Sequence, residues 1–274
     1  MMKQYARDKF TSFKLRVPTN WQDPQGDPGA KHYSNAFKDG ERSTSPGNPP
    51  LFVAASGNKY HTDTQKMLIA EYGAFIDKTC EAICSAWSTW QAAATVGALV
   101  VTGSICNGGI VAGPPLEPEI MLKGAMNSPM KIRYTTAIAT VISNAWLAFT
   151  LTMKWAAVNY WPTFNTFPSP VIPPPGIPNQ LQLPISQVTQ VPTSIMCMTM
   201  KPQMVSMFGE ANAPFMPQLF EAICDAFEKC YNDWKTQTLV TKVMAMGGVP
   251  TCVPPAMAPG PVVGTAIMLP GGFT

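Results

Sequence analysis

Glu81-Ala-Ile-Cys-Ser-Ala-Trp-Ser-Thr-Trp90 is the stretch that decides how this chain is read, because two others align with it without gaps. They are Thr140-Val-Ile-Ser-Asn-Ala-Trp-Leu-Ala-Phe149 and Glu221-Ala-Ile-Cys-Asp-Ala-Phe-Glu-Lys-Cys230. All three share an Ile, then a small residue and an aromatic at helical spacing: Ile83, Ala86, Trp87; Ile142, Ala145, Trp146; Ile223, Ala226, Phe227. Each Ile also precedes a Pro-Pro pair by the same interval, 83 to 114, 142 to 173 and 223 to 254. Self-similarity at a fixed interval is the signature of a repeated supersecondary unit. In each unit the Ala allows another helix to approach closely and the aromatic fills the space beside it. The pairs Pro114-Pro115, Pro173-Pro174 and Pro254-Pro255 then fix extended turns that resist edge pairing.

Around these motifs, helical periodicity and end signals mark three helices. Thr62-Asp-Thr-Gln65 has the capping-box pattern and opens a helix to about Ala94. Its apolar stripe is Met67, Leu68, Phe75, Ile76, Cys80, Ile83, Cys84, Trp87 and Trp90. Ser128-Pro129 is an N-cap and first-turn pair that starts a second helix, expected to run to about Tyr160 before Pro162. A third is expected from Asn212-Ala-Pro214 to about Lys235. Val100-Val101 and Leu239-Val240 suit strands after the first and third helices. Copies one and three also share a double glycine before the prolines, Gly108-Gly109 and Gly247-Gly248, and an Ile-Met-Leu after them, at 120–122 and 267–269.

The expected fold is therefore α+β and mainly helical, with three imperfect helix-plus-extended-segment repeats and a long extended N-terminal arm. The units are 1–58 (arm), 59–126 (first repeat), 127–202 (second repeat with a Pro-rich extended clamp over 163–202) and 203–274 (third repeat). The arm carries turn signals such as PTNWQDPQGDPG and no sustained period. No apolar leader segment is visible in its first residues.

Charge is scarce, at 13% Asp, Glu, Lys and Arg against roughly 25% in ordinary soluble domains. Residues 1–50 hold eight basic and five acidic residues, which accounts for the whole net charge of +3. Ala82–Leu116, Trp155–Met200 and Val243–Thr274 carry no charge at all. Such stretches are buried in a fold, a membrane or a neighbouring subunit. Copy three differs, with Asp225, Glu228, Lys229, Asp233 and Lys235 on its helix. That contrast disfavours membrane insertion of the repeat, and it leads to the expectation that the third unit lies nearest solvent.

Catalytic constellations are sparse. The two histidines, His32 and His61, lie outside the repeats, so Ser-His and Cys-His nucleophile schemes lack a base there. Seven cysteines form no CxxC pair and are expected to be reduced core thiols, Cys80 and Cys84 included. Glu117 and Glu119 flank Pro118 in an expected solvated turn, and no glycine cluster has phosphate-loop spacing. The reading is non-enzymatic, with no catalytic, cofactor or metal residues and no small-molecule substrate. The 17 Met residues suit adaptable apolar contacts. Lys3, Arg7, Lys9, Lys14 and Arg16, interleaved with Tyr5, Phe10 and Phe13, could follow a phosphate backbone, although the arm's acidic residues dilute that reading.

The arm over 1–58, the charge-free Pro/Gly/Met-rich connections at 155–200 and 243–274 and the repeated packing units together resemble virion structural proteins of tailed bacteriophages. That resemblance is one of class, with no diagnostic motif. It implies a subunit of tail, baseplate, neck or capsid decoration, made in the host cytoplasm and residing in the virion. Its implied partners are copies of itself and other structural proteins, joined through extended arms. The alternatives are a membrane-active or secreted injection-system component and a nucleic-acid packaging protein.

Overall fold

A computed structural model describes residues 1–15, 59–102, 105–159, 163–164, 183–188, 193–210, 213, 215–248, 252–253, 256–257 and 263–274. Among these the chain is α+β, with six helices and a mainly antiparallel sheet.

The first element is a helix, α1 (Met2–Ser12), which corrects the expectation of an arm extended from its first residue. Met2, Ala6 and Phe10 recur every fourth residue and all three are buried, so one apolar stripe is enough to dock it. Its polar side faces carboxylates of the body. The Arg7 guanidinium donates to both oxygens of Asp77 at 2.7 and 2.6 Å, Lys3 pairs with Glu81, and Lys9 reaches Glu221 at 3.2 Å and Asp225 at 3.7 Å. Residues 16–58 of the expected arm lie outside the described residues.

Helix α2 (Lys59–Ala93) begins three residues before Thr62, so the capping-box pattern lies inside the helix and does not open it. Phe75, Ile76, Cys80, Ile83, Trp87 and Trp90 are buried, whereas Met67 and Cys84, expected on the same stripe, are exposed. A hairpin follows, β1 (Thr95–Thr102) with β2 (Ile105–Ala112). Pro114 and Pro115 then lead into a short helix, α3 (Glu117–Lys123), which carries Glu117 and Glu119 in its first turn. Those two carboxylates are thus helical, where a loop was expected; they favour the positive end of the helix dipole.

Helix α4 (Pro129–Thr152) starts where its cap predicts, with the Ser128 hydroxyl accepting from the Lys131 N–H at 3.3 Å. It ends at Thr152, eight residues before the expected Tyr160. Trp155–Asn159 forms β3, which pairs with β2 through Cys106 with Val158 and Gly108 with Trp155. Strand pairing overrides the helical reading of that Ala-containing stretch. The two-residue β4 (Thr163–Phe164) and β5 (Leu183–Pro184) lie further along.

Helix α5 (Cys197–Phe208) takes up the end of the segment expected to be an extended clamp. Met200, Met204 and Phe208 form its buried stripe, and Glu228 accepts the Cys197 N–H at 2.7 Å. The described part of the clamp rests on the chain's own body: β5 pairs with β6 (Leu239–Val240), and the Trp155 indole donates to the Pro184 carbonyl at 3.0 Å. Residues 165–182, with Pro173 and Pro174, lie outside the described residues.

Helix α6 (Met216–Gln237) starts slightly later than expected, after Phe215 at φ 58°, and runs two residues beyond Lys235. β6, β7 (Val243–Gly248), the small hairpin β8 (Cys252–Val253) with β9 (Ala256–Met257), and β10 (Val263–Met268) follow among the described residues. Pro254 and Pro255, between β8 and β9, lie outside the described residues. The Ile-Met-Leu pair proves unlike in structure: Ile120–Leu122 is helical in α3, while Ile267 and Met268 are in β10.

The large sheet has the order β3-β2-β1-β10-β7-β4, antiparallel throughout except for β4 beside β7. α1 lies on α2 and α6, α5 lies on α4 and α6, and β2 approaches α4. One correction concerns cysteine. Cys197 at the start of α5 and Cys224 on α6 form a disulfide, with Cα atoms 4.9 Å apart. Cys80 and Cys106 are free and buried, and Cys84 is free and exposed. Burial pushes the Cys106 thiol up to about 11 and raises Cys80 further still.

Candidate interaction surface

The nine residues singled out from the three aligned stretches are all buried, and their aromatics meet. Trp87 lies 4.5 Å from Trp146 and 5.1 Å from Phe227, centroid to centroid, with Trp146 and Phe227 6.5 Å apart. Trp90, Phe149, Tyr231 and Trp234 extend the group, mostly in tilted or edge-to-face contacts. Ile83, Ile142 and Ile223 are fully buried, as is Ala226; Ala86 and Ala145 are nearly so. The cluster is therefore the joint between α2, α4 and α6, buried apart from the partly exposed Trp234.

The expected ordering of exposure among the three copies is not found. Phe227 is 0% exposed, against 9% for Trp87. The charges of α6 line its outer side and hold other helices. Glu221 takes Lys201 at 2.6 Å and Lys9 at 3.2 Å, Asp225 takes Lys9, Glu228 caps α5, Asp233 accepts from the Tyr5 hydroxyl at 3.1 Å, and the Lys229 ammonium sits over the Tyr5 ring. The part of α4 beyond Arg133 is uncharged, by contrast, and exposes Leu147 and Leu151.

Those ion pairs have a measurable consequence. The Lys201 ammonium and then Lys9 hold the Glu221 carboxyl below its ordinary value of 4.5, against the opposing effect of partial burial. A carboxylate depressed on folding contributes stability above its unfolded value and loses it as pH falls through the folded one. Glu221→Gln is expected to cost up to about 1 kcal/mol at pH 7 and progressively less below about pH 4.5, read from urea unfolding at a series of pH values.

The sheet supplies a different kind of feature. Along each strand side chains alternate between faces, and the inner face is closed by Val96, Leu99, Val101, Cys106, Val111, Trp155, Val158, Val243, Ala266 and Met268. Gly109, at φ 102°, belongs here because a Cβ would lie 2.9 Å from the Trp155 ring. The opposite face presents Val100, Ile105, Ile110, Met244 and Ile267, between 36% and 55% exposed, with Ala98, Ala112, Ala156 and Thr265 between them. Val100 stands opposite Thr265, and Ile267 opposite Met244, so these residues adjoin across three strands. No Asp, Glu, Lys or Arg occurs in any of the six strands. Single exposed apolar residues are ordinary; here they adjoin on one uncharged face. The signal lay in the charge-free stretches, whose strand periodicity is masked by glycine and alanine.

Polar groups elsewhere are engaged in structure. Glu117 accepts from Thr140 at 2.7 Å, and Glu119 pairs with Lys123 at 2.7 Å. Among the described residues no three His, Cys, Asp or Glu side chains come together as a metal site. The larger cleft described, about 210 Å³ between α2 and α4 and lined by Leu68, Tyr72, Phe75, Tyr134 and Leu219, is below the roughly 300–1,000 Å³ of small-molecule sites. α4 is long and apolar enough to cross a bilayer, yet 61% of its most apolar window is buried inside this fold. No family model, curated protein or solved structure matches this chain.

Proposed function

We propose that the chain is a non-enzymatic structural subunit of a large assembly, a bacteriophage virion component of the tail, baseplate, neck or capsid-decoration kind. The observation that carries this reading is the open, uncharged face of the six-stranded sheet, which a chain working alone in water has no reason to keep. Its titratable side chains support the same reading, since the ones in contact with other elements fasten helices to one another.

The three helix-plus-strand units are read as imperfect repeats. α2 is followed by β1, α4 by β3 and α6 by β6, each within three residues of the helix end. Their aligned aromatics share one cluster, and α1 belongs to the body so formed. Partners are then copies of this chain and other structural proteins. The nucleic-acid packaging alternative loses three of the cations it relied on, because Lys3, Arg7 and Lys9 are paired with carboxylates of the same chain. The membrane-active alternative rests on α4, whose apolar residues mainly serve the core.

The test is the assembly state of the purified full chain across concentration, by sedimentation and electron microscopy. Species well above the 29.6 kDa of one chain are expected. A monomer at every concentration contradicts the reading.

A further inference from the structure

We propose that the outer face of the large sheet docks against the same face of a second copy of this chain, forming a two-sheet sandwich across a two-fold axis. The inference rests on the assembly reading above and names the partner at this surface.

β1, β2, β3, β7 and β10 are five to eight residues long. Strands about 4.8 Å apart rising about 3.3 Å per residue give a planar footprint of roughly 500 Å², before side-chain relief is counted. Over two copies that is roughly 1,000 Å², the threshold of a specific interface.

A different protein selected at this face would ordinarily be chosen by complementary charge, and the six strands offer none. Val100, Ile105, Ile110 and Ile267 are all apolar, and a two-fold axis sets this one patch against its own copy. Twisted sheets with such faces pack about 10 Å apart with strands near −30°.

Stacking is also favoured over growth at the sheet edges. β4 is only two residues long, and at the other edge Trp155 of β3 already bridges to Val188. Among the described residues neither edge offers a long unpaired strand.

The experiment is sedimentation equilibrium of the full chain beside Ile110→Asp and, as a control on an exposed helical site away from the sheet, Leu122→Asp. Ile110 is 55% exposed and Leu122 78%, so both variants should fold, which circular dichroism at low concentration checks. A second face variant, Val100→Asp, covers the case in which Ile110→Asp fails to fold. Wild type and Leu122→Asp are expected to sediment as dimers or multiples of them. The face variants are expected at half that mass, with the dimer dissociation constant raised about 100-fold or more by a buried, unpaired carboxylate. Oligomers unaffected by either face variant overturn the inference and leave the assembly reading standing. A monomeric wild type overturns both. Phosphatidylcholine vesicles that bind wild type and lose it on Ile110→Asp would assign the face to a bilayer and also overturn the inference.

Discussion

Replacing Trp146 by Ala is expected to remove about 3–5 kcal/mol of folding stability. Its indole is 2% exposed and stands among Trp87 and Trp90 of α2, Phe149 of its own helix, and Phe227, Tyr231 and Trp234 of α6. Among the described residues no other side chain joins all three aligned helices through so many rings. Its truncation leaves a cavity bounded by stiff aromatics that cannot collapse into it, which puts the cost in the upper part of that range. The indole N–H makes no hydrogen bond, so the loss comes from packing and not from an orphaned acceptor. Because domains are stable by only about 5–15 kcal/mol, the variant should sit near its unfolding threshold. Urea titration followed by far-ultraviolet circular dichroism measures this. Leu147→Ala, one residue away and 51% exposed, should change stability by no more than about 0.5 kcal/mol.

Phe10→Ala is expected to have an effect of similar size but a different distribution. Phe10 is fully buried and stacks on Tyr72 at 5.8 Å, anchoring α1 between α2 and α6. An isolated helix of 11 residues has little stability in water, so α1 persists through docking alone. Losing about 3–5 kcal/mol at its anchor should release α1 before the remainder unfolds. In hydrogen exchange, the amides of α1 should lose their protection while those of α4 and α6 keep theirs. Arg7→Ala, which removes a partly buried ion pair with Asp77, should cost only about 1 kcal/mol. Equal effects of the two substitutions would mean that charge, not the Met2-Ala6-Phe10 stripe, holds the helix.

The three long helices were legible in the sequence because each carries an Ile, Ala and aromatic at helical spacing, and Ser128-Pro129 marked a true helix start. What escaped was set by contacts distant in the chain. Trp155–Asn159 has the composition of a helix end and becomes a strand only because β2 is there to pair with it. β1 lies against β10, near the other end of the chain, a neighbour no local pattern announces. α1 was hidden because its three-residue stripe sits in a polar background, and α5 because Pro202 interrupts the Met200, Met204, Phe208 spacing. The short α3 had its signals in view: acidic residues in the first turn, proline beside them and Lys123 in the last turn. The candidate surface was half visible. Charge-free stretches showed that something must cover those residues, but only the sheet separates the side chains that face the core from those that face outward.

The central claim is that this outward face is a contact between copies. Methionine oxidation reads it directly, because Met244 is on the face, 36% exposed, and Met198 is on α5, 78% exposed. The full chain is treated briefly with hydrogen peroxide at low and high protein concentration, and sulfoxide at each position is quantified by peptide mass spectrometry. Met244 should become protected as concentration rises while Met198 oxidises at the same rate throughout. Equal oxidation of Met244 at every concentration would contradict the claim.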